Sequence, residues 1–131
     1  ACNSASAAAL PALEARFAVP VFGVIVPGAI AAIEKTTTTR IGVIGTTATI
    51  RSNAYLHAIN ALNPAAKVYV QPCPLLVPLV EEGWQDREVA FTILNEYLAP
   101  LLQEKIDTLV LGCTHYPIIK NIIQNIKSIH T

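Results

Sequence analysis

Two cysteines stand where a helix start could activate a thiol, as a nucleophile, as a metal ligand or in another role. Cys113 lies in Gly-Cys-Thr-His-Tyr-Pro at 112–117, two residues before His115 and directly after an apolar run. Cys2 lies in Ala-Cys-Asn-Ser-Ala-Ser at 1–6 and precedes an alanine-rich stretch. Each thiol is followed by hydroxyl-bearing residues and then by a helix start: Pro117 suits a first helical position, and Asn3, Ser4 and Ser6 are good N-caps. The free N–H groups and positive dipole end at a helix start favour a thiolate over a thiol of ordinary pKa about 8.5, and they also bind a carboxylate. A thiol beside groups that would bind a carboxylate, occurring twice on one chain, is a pattern that asks for a function. The plainer reading is that both are small buried hydrophobes.

His115 makes a cysteine–histidine nucleophile conceivable, but no orienting Asn or Asp stands near it and Cys2 would then have no task. A metal site needs three or four ligands, and His57 and His130 stand alone, so both read as surface residues. Ile-Gly-Thr-Thr-Ala-Thr at 44–49 forms a hydroxyl-rich strand-to-helix turn without the glycines and lysine of a phosphate loop. Helix capping and ligand binding are both open for Thr46 and Thr49. Glu81 and Glu82 leave the apolar segment 73–80 either as solvated turn residues or with a carboxylate aimed at a site.

The elements that must hold these groups alternate. Continuous apolar runs at 17–24, 40–46, 66–73 and 107–113 read as strands covered on both faces of a parallel sheet. Helices are expected over 5–17, from Pro27-Gly28 to Lys35, over 49–62, and after an Asp86 cap along a face of Val89, Phe91, Leu94, Tyr97 and Leu98. Pro100 should kink or end that helix. A last helix opens at Pro117 and packs a stripe of Ile118, Ile119, Ile122, Ile123 and Ile126. Prolines 72, 74 and 78 mark one long loop. The result is an α/β architecture with right-handed crossovers, whose ligands gather beyond the carboxyl ends of the strands.

Composition narrows the partners. The 131 residues are 53% hydrophobic, an apolar balance that implies surface covered by other chain. Nine basic and nine acidic residues cancel, which leaves no field for nucleic acid or anionic lipid and favours a small or zwitterionic ligand. The uncharged run from Arg16 to Glu34 is broken by Pro20, Gly23, Pro27 and Gly28, too short and interrupted for a span of roughly 20 residues. Three cysteines without a Cys-x-x-Cys pair argue for free thiols in a reducing cytoplasm rather than a disulfide scaffold. No charged segment followed by an apolar block opens the chain, and its first residues read like the middle of a longer protein.

The segments 1–6, 23–28, 41–50, 71–83 and 109–117, in this order and spacing, resemble the glutamate racemases of the aspartate/glutamate racemase superfamily. That resemblance implies a flavodoxin-like half of a two-domain, pseudo-symmetric fold, with residues 1–26 in an incomplete first α/β domain and 27–131 forming most of the second. It implies interconversion of L- and D-glutamate without a cofactor, by Cys2 on the D face and Cys113 on the L face, in supply of peptidoglycan. Asn3, Ser4, Thr46, Thr49, Thr114 and His115 would hold substrate, and His115 with Glu81 would assist proton transfer. A homodimer is compatible with it. The family's opening strand, its Asp-Ser-Gly loop and its Pro-Tyr-Gly loop are not in this chain, and Ser4 stands where Thr is more usual. An aspartate-type racemase, or a carboxylate-binding module without activity, are the alternatives; an acidic residue at the place of His115 would have favoured the former.

Overall fold

The computed structural model describes residues 24–126. Cys2, Asn3, Ser4, the helix expected over 5–17, nearly all of the strand expected over 17–24, and His130 lie outside them. Three parallel strands, β1 (Arg40–Gly45), β2 (Lys67–Pro72) and β3 (Thr108–Gly112), form a sheet in the order β2-β1-β3. Parallel pairing requires crossovers, and helices supply them. They are α1 (Ile25–Lys35), α2 (Thr47–Arg51), α3 (Ala54–Leu62), α4 (Leu76–Glu81), α5 (Glu88–Gln103) and α6 (Lys120–Ile126), the last preceded by a 3₁₀ turn over Tyr116–Ile119.

After Arg40 the central strand is apolar and buried, because both of its faces are covered. Ile41 and Val43 pack with Ile25, Ala29, Tyr55 and Ile59 of α1 and α3. Ile44, on the other face, packs with Leu76, Leu94, Leu98, Leu109, Ile119 and Ile123. Leu94 is fully buried there, so truncating it to alanine should cost about 2–5 kcal/mol.

Several expectations need correction. The helix expected over 49–62 is two helices, because Asn53 takes a left-handed conformation (φ 56°) that ends α2 and redirects the chain. Asp86 caps nothing: α5 starts after an extended Arg87, and its buried face is Ala90, Leu94, Leu98 and Leu101, while Val89 and Phe91 are exposed. Pro100 does not end α5, which runs on to Gln103. The loop expected around prolines 72, 74 and 78 contains α4, with Pro78 inside it and the apolar Leu76, Leu79 and Val80 turned inward. Ile118 leaves the isoleucine stripe and is exposed. His57 is exposed, as expected. No helix among the described residues is long and apolar enough to cross a membrane.

At the amino ends of the strands, a threonine run closes the sheet. Asp107 accepts hydrogen bonds from the Thr36 hydroxyl (2.6 Å), the Thr37 N–H (2.7 Å), the Thr37 hydroxyl (2.9 Å) and the Thr38 N–H (2.8 Å). Burial by itself would raise the carboxyl pKa, but these donors hold it well below the usual carboxylate range.

Candidate active site

The register brings the chemistry to one edge. Gly45 pairs with Pro72 on one side and with Gly112 on the other. The next residues, Thr46, Cys73 and Cys113, therefore leave the carboxyl edge side by side.

Thr46 is the N-cap of α2, and its hydroxyl accepts the Thr49 N–H at 3.3 Å while donating to Thr49 Oγ1 at 3.1 Å. Capping is thus one use of the threonine turn, and it fixes the Thr46 hydroxyl above the sheet end. Thr49 is buried.

Cys113 is 9% exposed, and its carbonyl accepts the Tyr116 N–H at 3.1 Å, which starts the 3₁₀ turn. Its Sγ lies 3.8 Å from His115 Nδ1. The other ring nitrogen, Nε2, lies 3.3 Å from Glu81 Oε1 at the end of α4. Carboxylate, imidazole and thiol thus form a chain in which both ring nitrogens face a partner, so the ring is oriented from one side and can pass a proton on the other. Glu81 and His115 are partly exposed, so their pairing contributes only about 0–1 kcal/mol to stability. Thr114 is exposed at the same turn.

Cys73 is a different thiol. It is fully buried, its N–H donates to the Gly45 carbonyl at 2.8 Å, and its Sγ approaches the Gln71 carbonyl at 3.5 Å. Burial pushes it up to about 12 despite a lowering contribution from the Gly45 backbone, so it stays protonated and unreactive. Tyr116, also buried, donates its hydroxyl to the Cys73 carbonyl at 3.3 Å. Its pKa is raised, first of all by burial. Burial, and next the charge of Cys113, push Tyr55 up to about 12.

Thr46, Thr49, Glu81, Cys113, Thr114 and His115 thus belong to the carboxyl edge, whereas Cys2, Asn3 and Ser4 fall outside the described residues. Sequence reasoning passed over Tyr55 and Tyr116. Tyr116 directly follows the Cys-Thr-His run, a signal within reach; Tyr55 is separated from Cys113 by 58 positions and has no local signal. No cluster of three His, Cys, Asp or Glu among the described residues could hold a metal ion. A cavity of about 350 Å³ opens beside β3, lined by Gly28, Lys35, Tyr55, Thr108, Leu111 and Lys120 among others, alongside the strand rather than at its thiol end.

A family model described as Asp/Glu/Hydantoin racemase matches residues 1–129. Glutamate racemase of Geobacter metallireducens is 54% identical over 123 residues, 94% of this chain and 46% of the relative. That of Sulfurihydrogenibium sp. is 50% identical over 126 residues, 96% of this chain and 48% of the relative. Among solved structures, glutamate racemase isoform RacE1 from Bacillus anthracis superposes with a TM-score of 0.90 at 46% identity, covering 95% of this chain and 47% of that one. Glutamate racemase from Francisella tularensis in complex with D-glutamate gives 0.88 at 38% identity, covering 98% of this chain and 48% of that one. The chain spans about half the length of the curated relatives it matches.

Proposed function

The chain belongs to the Asp/Glu/hydantoin racemase family, and from that premise we propose that its protein is a glutamate racemase working by two thiols without a cofactor. The observation that carries the reading is the Cys113–His115–Glu81 chain at the carboxyl edge, at 3.8 and 3.3 Å. Relatives at about half identity that are named glutamate racemases support the substrate.

Racemisation removes the Cα proton from one face and returns a proton to the other, so it needs two groups of opposite protonation on opposite sides. Cys113, as thiolate, takes the proton of L-glutamate; Cys2, as thiol, gives one to the far face, and the two states are exchanged after each turnover. His115 stands where it can take the Cys113 proton and reset the thiolate, with Glu81 holding the ring. A substrate carboxylate binds the Thr46 and Thr114 hydroxyls and the backbone N–H groups above the strand ends, and Asn3, Ser4 and Thr49 complete the binding set. Donors fixed there stabilise negative charge that spreads from Cα into the carboxylate. In this reading residues 27–131 form most of the second of two similar domains, and the D-glutamate made serves peptidoglycan in the cytoplasm.

The test is L-glutamate in deuterated water with the full-length protein and its Cys2→Ser and Cys113→Ser variants. Deuterium at Cα with racemisation is expected for wild type and a drop of at least about 10²-fold for each variant. Two variants as fast as wild type would end the two-thiol mechanism; a wild type faster on aspartate would move the substrate assignment to the neighbouring class.

A further inference from the structure

We propose that Tyr55 is a positioning residue for Cys113: its ring, seated between Gly28 and Gly112, fixes the exit of β3 from which the thiol is presented. The inference rests on the two-thiol reading and adds to it a residue that touches no substrate.

Tyr55 is the second residue of α3 and is 4% exposed. Opposite edges of its ring meet backbones that carry no side chain. A Cβ at Gly28 would lie 3.2 Å from Tyr55 Cε1, and a Cβ at Gly112 would lie 3.3 Å from Tyr55 Cε2 and 2.6 Å from the Ile44 carbonyl oxygen. Neither glycine has a positive φ, so space for the ring and for the neighbouring strand, not backbone freedom, accounts for both. Gly28 lies on α1 and Gly112 is bonded directly to Cys113. The ring is therefore a spacer between a helix and the last residue before the thiol, and a shift of a few tenths of an ångström at one side passes to the other in an interior packed to crystal-like density. The left-handed Asn53, one residue before α3, sets the direction in which that helix carries the ring. Charge on Cys113 also reaches the Tyr55 phenol, as expected of neighbours.

The full-length protein is compared as wild type, Gly28→Ala, Tyr55→Leu and the double variant. Gly28→Ala places a methyl against the ring inside a helix, where alanine is the better helix former, so the fold is retained. We expect kcat to fall on the order of tenfold with KM within about twofold, as a small misplacement of a reacting group does. The Cα-deuterium isotope effect should rise for L-glutamate, from which Cys113 takes the proton, and stay unchanged for D-glutamate. Adding Tyr55→Leu should restore part of the loss by making room for the methyl. A merely structural role would leave both isotope effects at their wild-type values, and that result in Gly28→Ala and Tyr55→Leu overturns the proposal. Should wild type fail to racemise glutamate, the reading of function falls by that control alone. The positioning role is then decided by alkylation of Cys113 with iodoacetamide, mapped by mass: a rate altered severalfold in Gly28→Ala supports it, and an unaltered rate overturns it.

Discussion

At the amino ends of the strands one carboxylate, Asp107, accepts hydrogen bonds from two hydroxyls and two N–H groups, all within 2.9 Å. At the carboxyl ends the side-chain contacts of the thiol, imidazole and carboxylate are longer: 3.8 Å from the Cys113 thiol to His115, and 3.3 Å from His115 to Glu81. Both ends are made of the same materials, short polar residues and carboxylates at strand termini. The first has spent its hydrogen-bonding capacity internally and ties helix α1 to β3. The second presents the exposed Thr114 hydroxyl and the Cys113 thiol at the same turn. Stability and chemistry are thus separated by the length of a strand, and substitutions at the two ends should fail in different assays.

Cys113→Ala gives the sharpest break: the full-length protein should lose racemisation by about 10²–10⁴-fold, the range for a removed acid–base group, while Tm stays near wild type. A collapse of Tm with activity would merge the two ends. Asp107→Asn should do the reverse, lowering Tm by several degrees at pH 7 with kcat unchanged. Because the folded carboxyl sits below its unfolded value of about 3.9, its stabilisation is fully present above that pH and is lost as pH falls through the folded value. The Tm gap between wild type and Asp107→Asn should therefore narrow below about pH 4, and a gap that widens there would contradict the hydrogen-bond assignment. Glu81→Gln should lower kcat only severalfold and leave Tm alone, since a half-exposed pair contributes little to folding. The smallest effect lies within the carboxyl end itself. Cys73 should resist iodoacetamide at pH 8 until the protein is denatured, whereas Cys113 reacts in the folded state, as read by mass mapping.

Much of the sheet was legible because a strand buried on both faces needs a continuous apolar run, and 40–46, 66–73 and 107–113 each match an observed strand to within one residue at either end. The helices were less so. Nothing local marks Asn53 as left-handed, and the alanines, isoleucine and tyrosine around it suit one long helix. Apolar packing of Leu76, Leu79 and Val80 folded a proline-rich stretch into α4 against its turn signals. Within the site, Cys113 and His115 declare themselves by adjacency. The contact of His115 with Glu81 spans 34 positions and exists only once α4 is docked against the 3₁₀ turn that follows β3. The Asp107 clamp reaches 71 positions back to Thr36, and four consecutive threonines carry no sequence signal of their own for a partner so far away.

The shared level of Gly45, Pro72 and Gly112 has a consequence for how the chain tolerates added or lost residues. Past that level and the one bond from the Cys73 N–H to the Gly45 carbonyl, a connection can lengthen or shorten without disturbing the strand pairing. Before it, one residue gained or lost in β3 inverts the alternation of every side chain that follows and turns Cys113 to the opposite face. The sheet end is a ruled line: past it, added residues spare the sheet and disturb only the site, whereas before it they break the frame of both.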